Sequence, residues 1–410
     1  MSSREHLRHL LAEASELEHN ILCCYLYAVF SLKQARTEDL SADELAAVAR
    51  WRKDLLGLCI EEMIHLAQVA NLTVAIGARP HFNRPNLPVA PGYHPAGVVL
   101  KLAPFDMETL EHFIYLERPE EAKVADSEAF EDEAAPARTP AAGTLMPRAP
   151  DYETIGEFYT ALRNALEAAA AAMGEEALFC GPREHQLRAS ELNAADLVVV
   201  TDLASAIRGI DLIVVQGEGS GSRVGDSHFG RFEQMLDDYR RLLAARPGFV
   251  PHRDVARDPV MHAPVAPDRV HVTAGAAAAV LDAGNAAYSA MLRLLARCYE
   301  VPWTSAKERQ AALSGAMACM KAVTGLGTAL TFLPAQEGGS GPRAGMSFAM
   351  LRSTEGFFND HAGQALAERL LDIAGRLPRL EIDGQLGASL AAALTEAAGA
   401  LGNPGPSPGG

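Results

Sequence analysis

Glu62 and His65 stand three residues apart in the segment Glu61-Glu-Met-Ile-His65. On a helix that spacing puts both side chains on one face. One carboxylate oxygen and one imidazole nitrogen can then reach a single cation, and the carboxylate is free to bridge to a second. Four-helix bundles that hold paired iron or manganese use this device, with a glutamate from each of two helices and a Glu-x-x-His pair from each of the other two. Glu18 offers a carboxylate from an earlier segment. It is the one formal charge in the seam Leu11, Ala14, Glu18, Ile21, Tyr25, Ala28, Leu32, which recurs at helical spacing. The second seam reads Leu55, Leu58, Glu62, His65, Val69, Leu72. A carboxylate in such a seam is costly to bury unless it is paired, protonated or bound to a cation. The plain alternatives are a buried acid bonded to Tyr25 or a neighbouring helix for Glu18, and a satisfied core histidine for His65. Glu61 also competes with Glu62, since it lies four residues before His65, and the seam favours Glu62.

Further donors are less regular. Glu157 is the acid nearest the start of a third helix, with a solvated first-turn acid as the plain alternative and Glu153 as its rival, and Glu218 closes a fourth. No second Glu-x-x-His sits on that fourth helix; a glycine-rich break follows, then Ser227-His228-Phe229. Glycines permit the φ angles needed to fold the chain back, so that His228 could reach a cation held by Glu218. His185 is the reserve nitrogen, and Asp211, seven residues before Glu218, is a candidate extra ligand or supporting partner. The run from Gly217 to Ser222 lacks the Lys-Ser/Thr ending of a phosphate-binding loop and follows a helix, which argues against a nucleotide cradle.

The elements that must position these residues are helical. Patterns run over about 4–33, over 41–76 with a Ser41–Glu44 capping box and a stop at Gly77, over 107–116, 152–173, 194–216 and 228–245. Residues 79–104 read as a Pro/Gly/Asn excursion, 117–150 as a mobile acidic and Ala/Pro-rich loop, and 249–268 as a connection. Alanine-rich helices follow at about 273–299, 306–332, 359–376 and 386–401. The division expected is a metal-binding bundle over 1–248, a helical C-terminal region over 269–401 and a disordered tail over 402–410. Hydrophobic residues make up 49% of the 410 and aromatics only 6%, which supports packed helices and excludes global disorder. With 36 bases against 52 acids the net charge is −16, so partners bearing phosphate backbones or anionic lipid are disfavoured. Six cysteines without a CxxC pair give neither a zinc knuckle nor a disulfide framework; Cys23, Cys24 and Cys59 read as buried thiols. No signal peptide and no membrane span are expected, and a reducing cytoplasm fits best.

At these residues the sequence resembles the ferritin-like family that includes the iminophenyl-pyruvate dimer synthases of bisindole biosynthesis, in the violacein, rebeccamycin and staurosporine pathways. The matching pieces are Glu16-Leu-Glu-His19 with Tyr25-Leu-Tyr-Ala28, Glu61-Glu-Met-Ile-His65 with Asn71-Leu72, Ile155-Gly-Glu-Phe-Tyr159, Gln216-Gly-Glu-Gly219 and Ser227-His-Phe-Gly-Arg-Phe232. They span most of residues 4–245, and the later Ala344-Gly-Met-Ser-Phe348 matches more loosely. The resemblance implies an all-α fold: a ferritin-like four-helix bundle with long loop excursions and an additional helical C-terminal half. It implies metal ligation by Glu18, Glu62, His65, Glu157, Glu218 and His228. The metal expected is iron, as a di-iron pair, with manganese or zinc as alternatives; haem ligands follow no spacing rule that would exclude them. The activity implied is a non-haem metal-dependent oxidoreductase of specialised metabolism, acting on a small amine, amino acid or imine with O₂ or peroxide. The alternative is a non-catalytic metal-binding or iron-handling protein. A small-molecule substrate is the expected partner, with no nucleic acid and no membrane, and a homo-oligomer is compatible.

Overall fold

The computed structural model describes residues 4–89, 92–94, 98–130, 151–218, 225–263, 269–339, 341–350 and 359–402. It divides the chain into two compact units, residues 1–80 with 88–253, and residues 81–87 with 254–410. Both are helical.

In the first unit, α1 (Arg4–Ser31), α2 (Ala42–Ala75), α4 (Ile155–Met173) and α7 (Leu203–Gly217) close a ring, each packing against the next. This is the expected four-helix bundle. Its apolar core is a stripe from each helix: Leu7 to Ala14 of α1, Val69 to Ala75 of α2, Phe158 to Ala170 of α4 and Ala206 to Ile213 of α7. Beyond that stripe the same seams turn polar, at Glu18 on α1 and at Glu62 and His65 on α2, and all three remain buried. Two further helices stand beside the ring: α3 (Met107–Leu116) packs on α8 (His228–Ala245), and α8 packs on α2. Single-turn helices α5 (Glu175–Leu178) and α6 (Ala189–Leu192) lie in the crossover from α4 to α7.

Local signals place most helix starts. Ser41 accepts from the Glu44 amide and Glu44 returns to the Ser41 amide, the reciprocal cap expected for α2. Thr154 caps α4 and Ser227 caps α8 through their hydroxyls. Gly77 takes φ +83, a left-handed value open to glycine, just past the end of α2.

Two expectations are corrected. The apolar run before α7 is not helical from residue 194. Val198 and Val200 are held outside any helix, because the amides of Gln68, Asn71 and Gln186 satisfy their backbone groups. The helix begins only after the Asp202 cap. The stretch assigned as mobile from residue 117 is packed as far as it is described. Glu117 ends α3 and is buried; Phe130 stacks on His112 at 4.0 Å, and Asp126 sits 2.8 Å from the same imidazole. Residues 131–150 lie outside the described residues, as do 219–224 of the glycine-rich break and 403–410 of the tail.

In the second unit, α9 (Gly275–Glu300), α10 (Ala306–Leu330), α11 (Asn359–Arg376) and α12 (Gly384–Leu401) close a second ring of four helices. Segment 81–87 joins this unit through Arg84, whose guanidinium bonds the Tyr288 hydroxyl at 3.0 Å and the Phe348 carbonyl at 2.5 Å. A short parallel pair, β1 (Pro259–Val260) and β2 (Val270–His271), is the strand pairing among the described residues. Two helical stretches, Ala42–Ala75 and Trp303–Leu330, are long and apolar enough to cross a membrane, and 67% and 56% of their apolar windows are buried within the protein. Among the described residues, Cys23, Cys24, Cys59, Cys298 and Cys319 are buried and outside any disulfide, and Cys180 is exposed.

Candidate metal centre

Two trios of buried donors share one carboxylate. Glu18, Glu62 and His65 form the first, and Glu62, Glu117 and His228 the second. Glu62 stands between the rings, with Oε2 3.2 Å from His65 Nδ1 and Oε1 2.9 Å from His228 Nδ1. Glu18 Oε2 lies 3.5 Å from His65 Nδ1, and Glu117 Oε1 lies 3.5 Å from His228 Nδ1. The imidazoles stack with centroids 5.5 Å apart. Among the described residues these are the groups of histidines and acids close enough to share a cation.

Each donor is oriented from behind. Tyr159 on α4 donates its hydroxyl to Glu18 Oε1. Tyr25 on α1 donates to Glu117 Oε1 at 2.5 Å. Nε2 of His65 meets the Gln216 amide oxygen at 2.8 Å, and Nε2 of His228 meets Glu61 Oε2 at 2.9 Å. Arg231 binds the same Glu61 oxygen. With Nε2 as donor in both rings, Nδ1 is the nitrogen offered to the carboxylates.

The charges are tightly interdependent. Burial pushes the Glu18 carboxyl up, and the nearby Glu62 charge adds to it, raising it to about 8. Burial pushes His65 down, but Glu62 and Glu18 outweigh it and raise it to about 10. His228 is likewise held well above the usual imidazole range by Glu62 and Glu117 against the effect of burial. Burial acts on Glu62 in the upward direction, yet His228 and His65 keep it well below the usual carboxylate range. Burial raises Tyr25 and Tyr159, so both stay protonated donors.

Of the six residues expected as ligands, the structure brings Glu18, Glu62, His65 and His228 together. Glu157 is not among them. Its carboxylate accepts the Glu153 amide and its own amide is capped by Thr154, so it serves the first turn of α4, where free N–H groups and the helix dipole attract an acid. Glu218 lines the same small cavity as Glu18, Glu62, His65, Glu117 and Tyr159 but belongs to neither trio. Its Oε1 accepts the Gly156 amide at 2.8 Å, a seat open only because residue 156 is glycine: a Cβ there would lie 2.0 Å from that oxygen. Burial pushes the Glu218 carboxyl up to about 7. Asp211, considered as a supporting partner, pairs with Arg163 at 2.9 Å on the surface, and His185 is in neither trio.

Glu117 is the donor that the sequence reading passed over. Leu110, Phe113 and Glu117 continue one helical stripe, so an acid sat at a seam position there as at Glu18. Pro119 and the acids Glu120 and Glu121 made it resemble the start of a loop. Glu61, set aside as a rival ligand, instead supports His228.

The donor set fits a pair of divalent cations. Three buried carboxylates and two imidazoles supply hard oxygen and borderline nitrogen ligands of the kind that iron, manganese and zinc accept. His228 Nδ1 is the clearest sign: it is buried against two carboxylate oxygens without hydrogen-bond alignment to either, the arrangement a shared cation would complete.

Fold and site define a ferritin-like protein, and the chain belongs to the ferritin-like family, whose model matches residues 11–237. That match runs from within α1 to within α8 and includes both trios. Among curated proteins the chain is similar to the 2-imino-3-(indol-3-yl)propanoate dimerase of Chromobacterium violaceum, 27% identical over 344 residues, covering 78% of this chain and 31% of the relative. It is also similar to the dichlorochromopyrrolate synthase of Lentzea aerocolonigenes, 26% identical over 387 residues, covering 85% of this chain and 36% of the relative. The chain thus spans about a third of the length of these curated relatives. Among solved structures, the crystal structure of a ferritin-like protein from Caulobacter vibrioides aligns with TM-score 0.46 and 19% identity, over 79% of this chain and 93% of that one.

Proposed function

We propose that the chain is a non-haem metal-dependent oxidoreductase of specialised metabolism that acts on a small amine, amino acid or imine with O₂ or peroxide. The observation that carries this is Glu62, a buried carboxylate shared by two histidine-containing trios. Glu18 and His65 would complete one cation position, and Glu117 and His228 the other. A pair of iron ions held there would supply the redox chemistry with O₂ or peroxide that side chains lack.

The protein's own residues fix the donors and shape the space beside them. Tyr25 and Tyr159 hold the terminal carboxylates, while Glu61 and Gln216 set the imidazole tautomers. Ile21, Ile155, Ile213 and Val214 give the adjoining cavity its apolar walls. Glu218, with its raised carboxyl, is placed to hold a proton at that wall. The substrate class follows the relatives, one of which is named for an imino acid and which match 78% and 85% of this chain.

The test is metal analysis of protein purified without chelator, followed by O₂ uptake and product analysis with a panel of small amines, amino acids and imino acids. Bound iron with metal-dependent turnover, abolished in Glu62→Ala, is the expected result. Bound metal without turnover of any panel member would favour a non-catalytic metal-binding or iron-handling protein.

A further inference from the structure

The two trios match in almost every respect. Glu62 is common to both, and each terminal carboxylate receives one tyrosine hydroxyl, Tyr159 on Glu18 and Tyr25 on Glu117. Each imidazole offers Nδ1 and donates through Nε2. What differs is the acceptor behind the ring: a carboxylate, Glu61, behind His228 and a neutral amide, Gln216, behind His65.

That difference has a chemical consequence. A hydrogen bond to an ionised acceptor is roughly twice as strong as one to a neutral acceptor. A carboxylate drawing on the Nε2 proton makes the opposite nitrogen a better donor to a cation, and loss of such a partner typically costs about 10–100-fold in metal affinity. Arg231 shares the Glu61 oxygen, and the pair is partly buried, 23% and 26% exposed, so solvent screens it only in part. The guanidinium pins the carboxylate in place and offsets some of its pull on the Nε2 proton, but Glu61 still sets a charge behind His228 where Gln216 sets none behind His65.

We infer that the two positions are unequal: the Glu62–Glu117–His228 position takes a divalent cation first and holds it more tightly, with Glu61 as the positioning residue that makes it so. This rests on the metal-binding part of the function proposed above and adds an order of filling to it.

Cobalt(II), titrated into the metal-stripped full chain, tests the order by calorimetry and by its visible d–d absorption. Two resolved events are expected. His228→Ala should remove the tighter and His65→Ala the weaker. Glu61→Gln should weaken the tighter event by about 10-fold or more and shift its d–d bands while leaving the weaker event in place. Glu61→Asp should restore part of the loss, and Gln216→Glu should tighten the weaker event. Glu61→Ala, at a position about a quarter exposed, gives a second charge-free variant, with a melting curve as the check on folding. Two equal events in the natural chain, or a Glu61→Gln loss that falls on the weaker event, would overturn the inference while leaving the metal site standing. No cobalt binding by the natural chain would overturn both.

Discussion

Glu62 Oε1 lies 2.9 Å from His228 Nδ1, joining the middle of α2 to the first residue of α8. Through that contact the second trio is built on a helix outside the bundle ring. α4 and α7, expected to supply ligands, supply Tyr159, Gly156, Gln216 and Glu218 around the cluster.

The shared position of Glu62 predicts a graded loss of metal. Glu62→Ala should abolish both equivalents, whereas Glu18→Ala or His228→Ala should each remove one. Removing one partner from a buried charge pair commonly costs ~3–5 kcal/mol, so Glu62→Ala should also melt at lower temperature without metal. Elemental analysis beside circular dichroism separates the two effects. Retention of one full equivalent by Glu62→Ala would show that the trios do not share it.

Glu117 and Glu157 give opposite expectations. Glu117→Gln should lose one metal equivalent. Glu157→Gln should keep both and cost only about 0.3–1 kcal/mol, the usual value of an acid in a helix's first turn. Metal content and urea unfolding of the two variants check this, and the reverse pattern would return Glu157 to the ligand set.

The tyrosines should act on geometry. Tyr159→Phe leaves the buried Glu18 Oε1 without its hydroxyl donor, an unmet hydrogen bond worth about 1–3 kcal/mol. The position containing Glu18 should weaken, while the one containing Glu117 should respond instead to Tyr25→Phe. Metal titration of the two variants reads the pairing; equal effects on both positions would contradict it.

Protonation sets the pH dependence. Folded-state values are raised for His65, from an ordinary 6.5 to about 10, and for Glu18, from 4.5 to about 8. Both groups, and His228, therefore carry protons at neutral pH without metal, and ligation needs them removed. Metal affinity should rise with pH, and calorimetry at pH 7 in buffers of different ionisation enthalpy should count proton release on loading. Uptake without release would contradict the assigned donors. For the metal-free chain the sign reverses. Stability from His65 is present below 6.5 and lost as pH climbs towards about 10, and that from Glu18 is lost between 4.5 and about 8. Glu62, held low, works the other way, and its contribution is lost as pH falls below 4.5. The melting temperature without metal should thus decline on the alkaline side.

The parts legible in the sequence are those where a charge interrupts a long periodic seam. Glu18, Glu62 and His65 stood out because more than twenty helical residues framed them, and the ring of four helices followed from the same seams. His228 followed no Glu-x-x-His spacing, and only the glycine-rich break before it allowed the chain to bring it back. Glu117 was hidden because α3 has only ten residues, and its acid merges with the loop acids after it. Glu157 stood nearest the start of its helix, where an acid has a local use, capping, that the sequence alone does not separate from ligation. The supporting roles of Glu61, Gln216 and Tyr159 depend on which helices meet at that level of the bundle, which spacing along one helix does not encode. The late start of α7 had the same origin, since Gln68, Asn71 and Gln186, from other segments, bond the backbone of Val198 and Val200.

The most direct test is an anomalous difference map, at the iron absorption edge, from crystals of the full chain loaded with iron(II). Two peaks are predicted, roughly 3.5–4 Å apart as in other two-metal sites, one within reach of Glu18, Glu62 and His65 and the other within reach of Glu62, Glu117 and His228. No peak at these residues, or a peak bound by Glu157 and Glu218 without Glu117, would contradict the account.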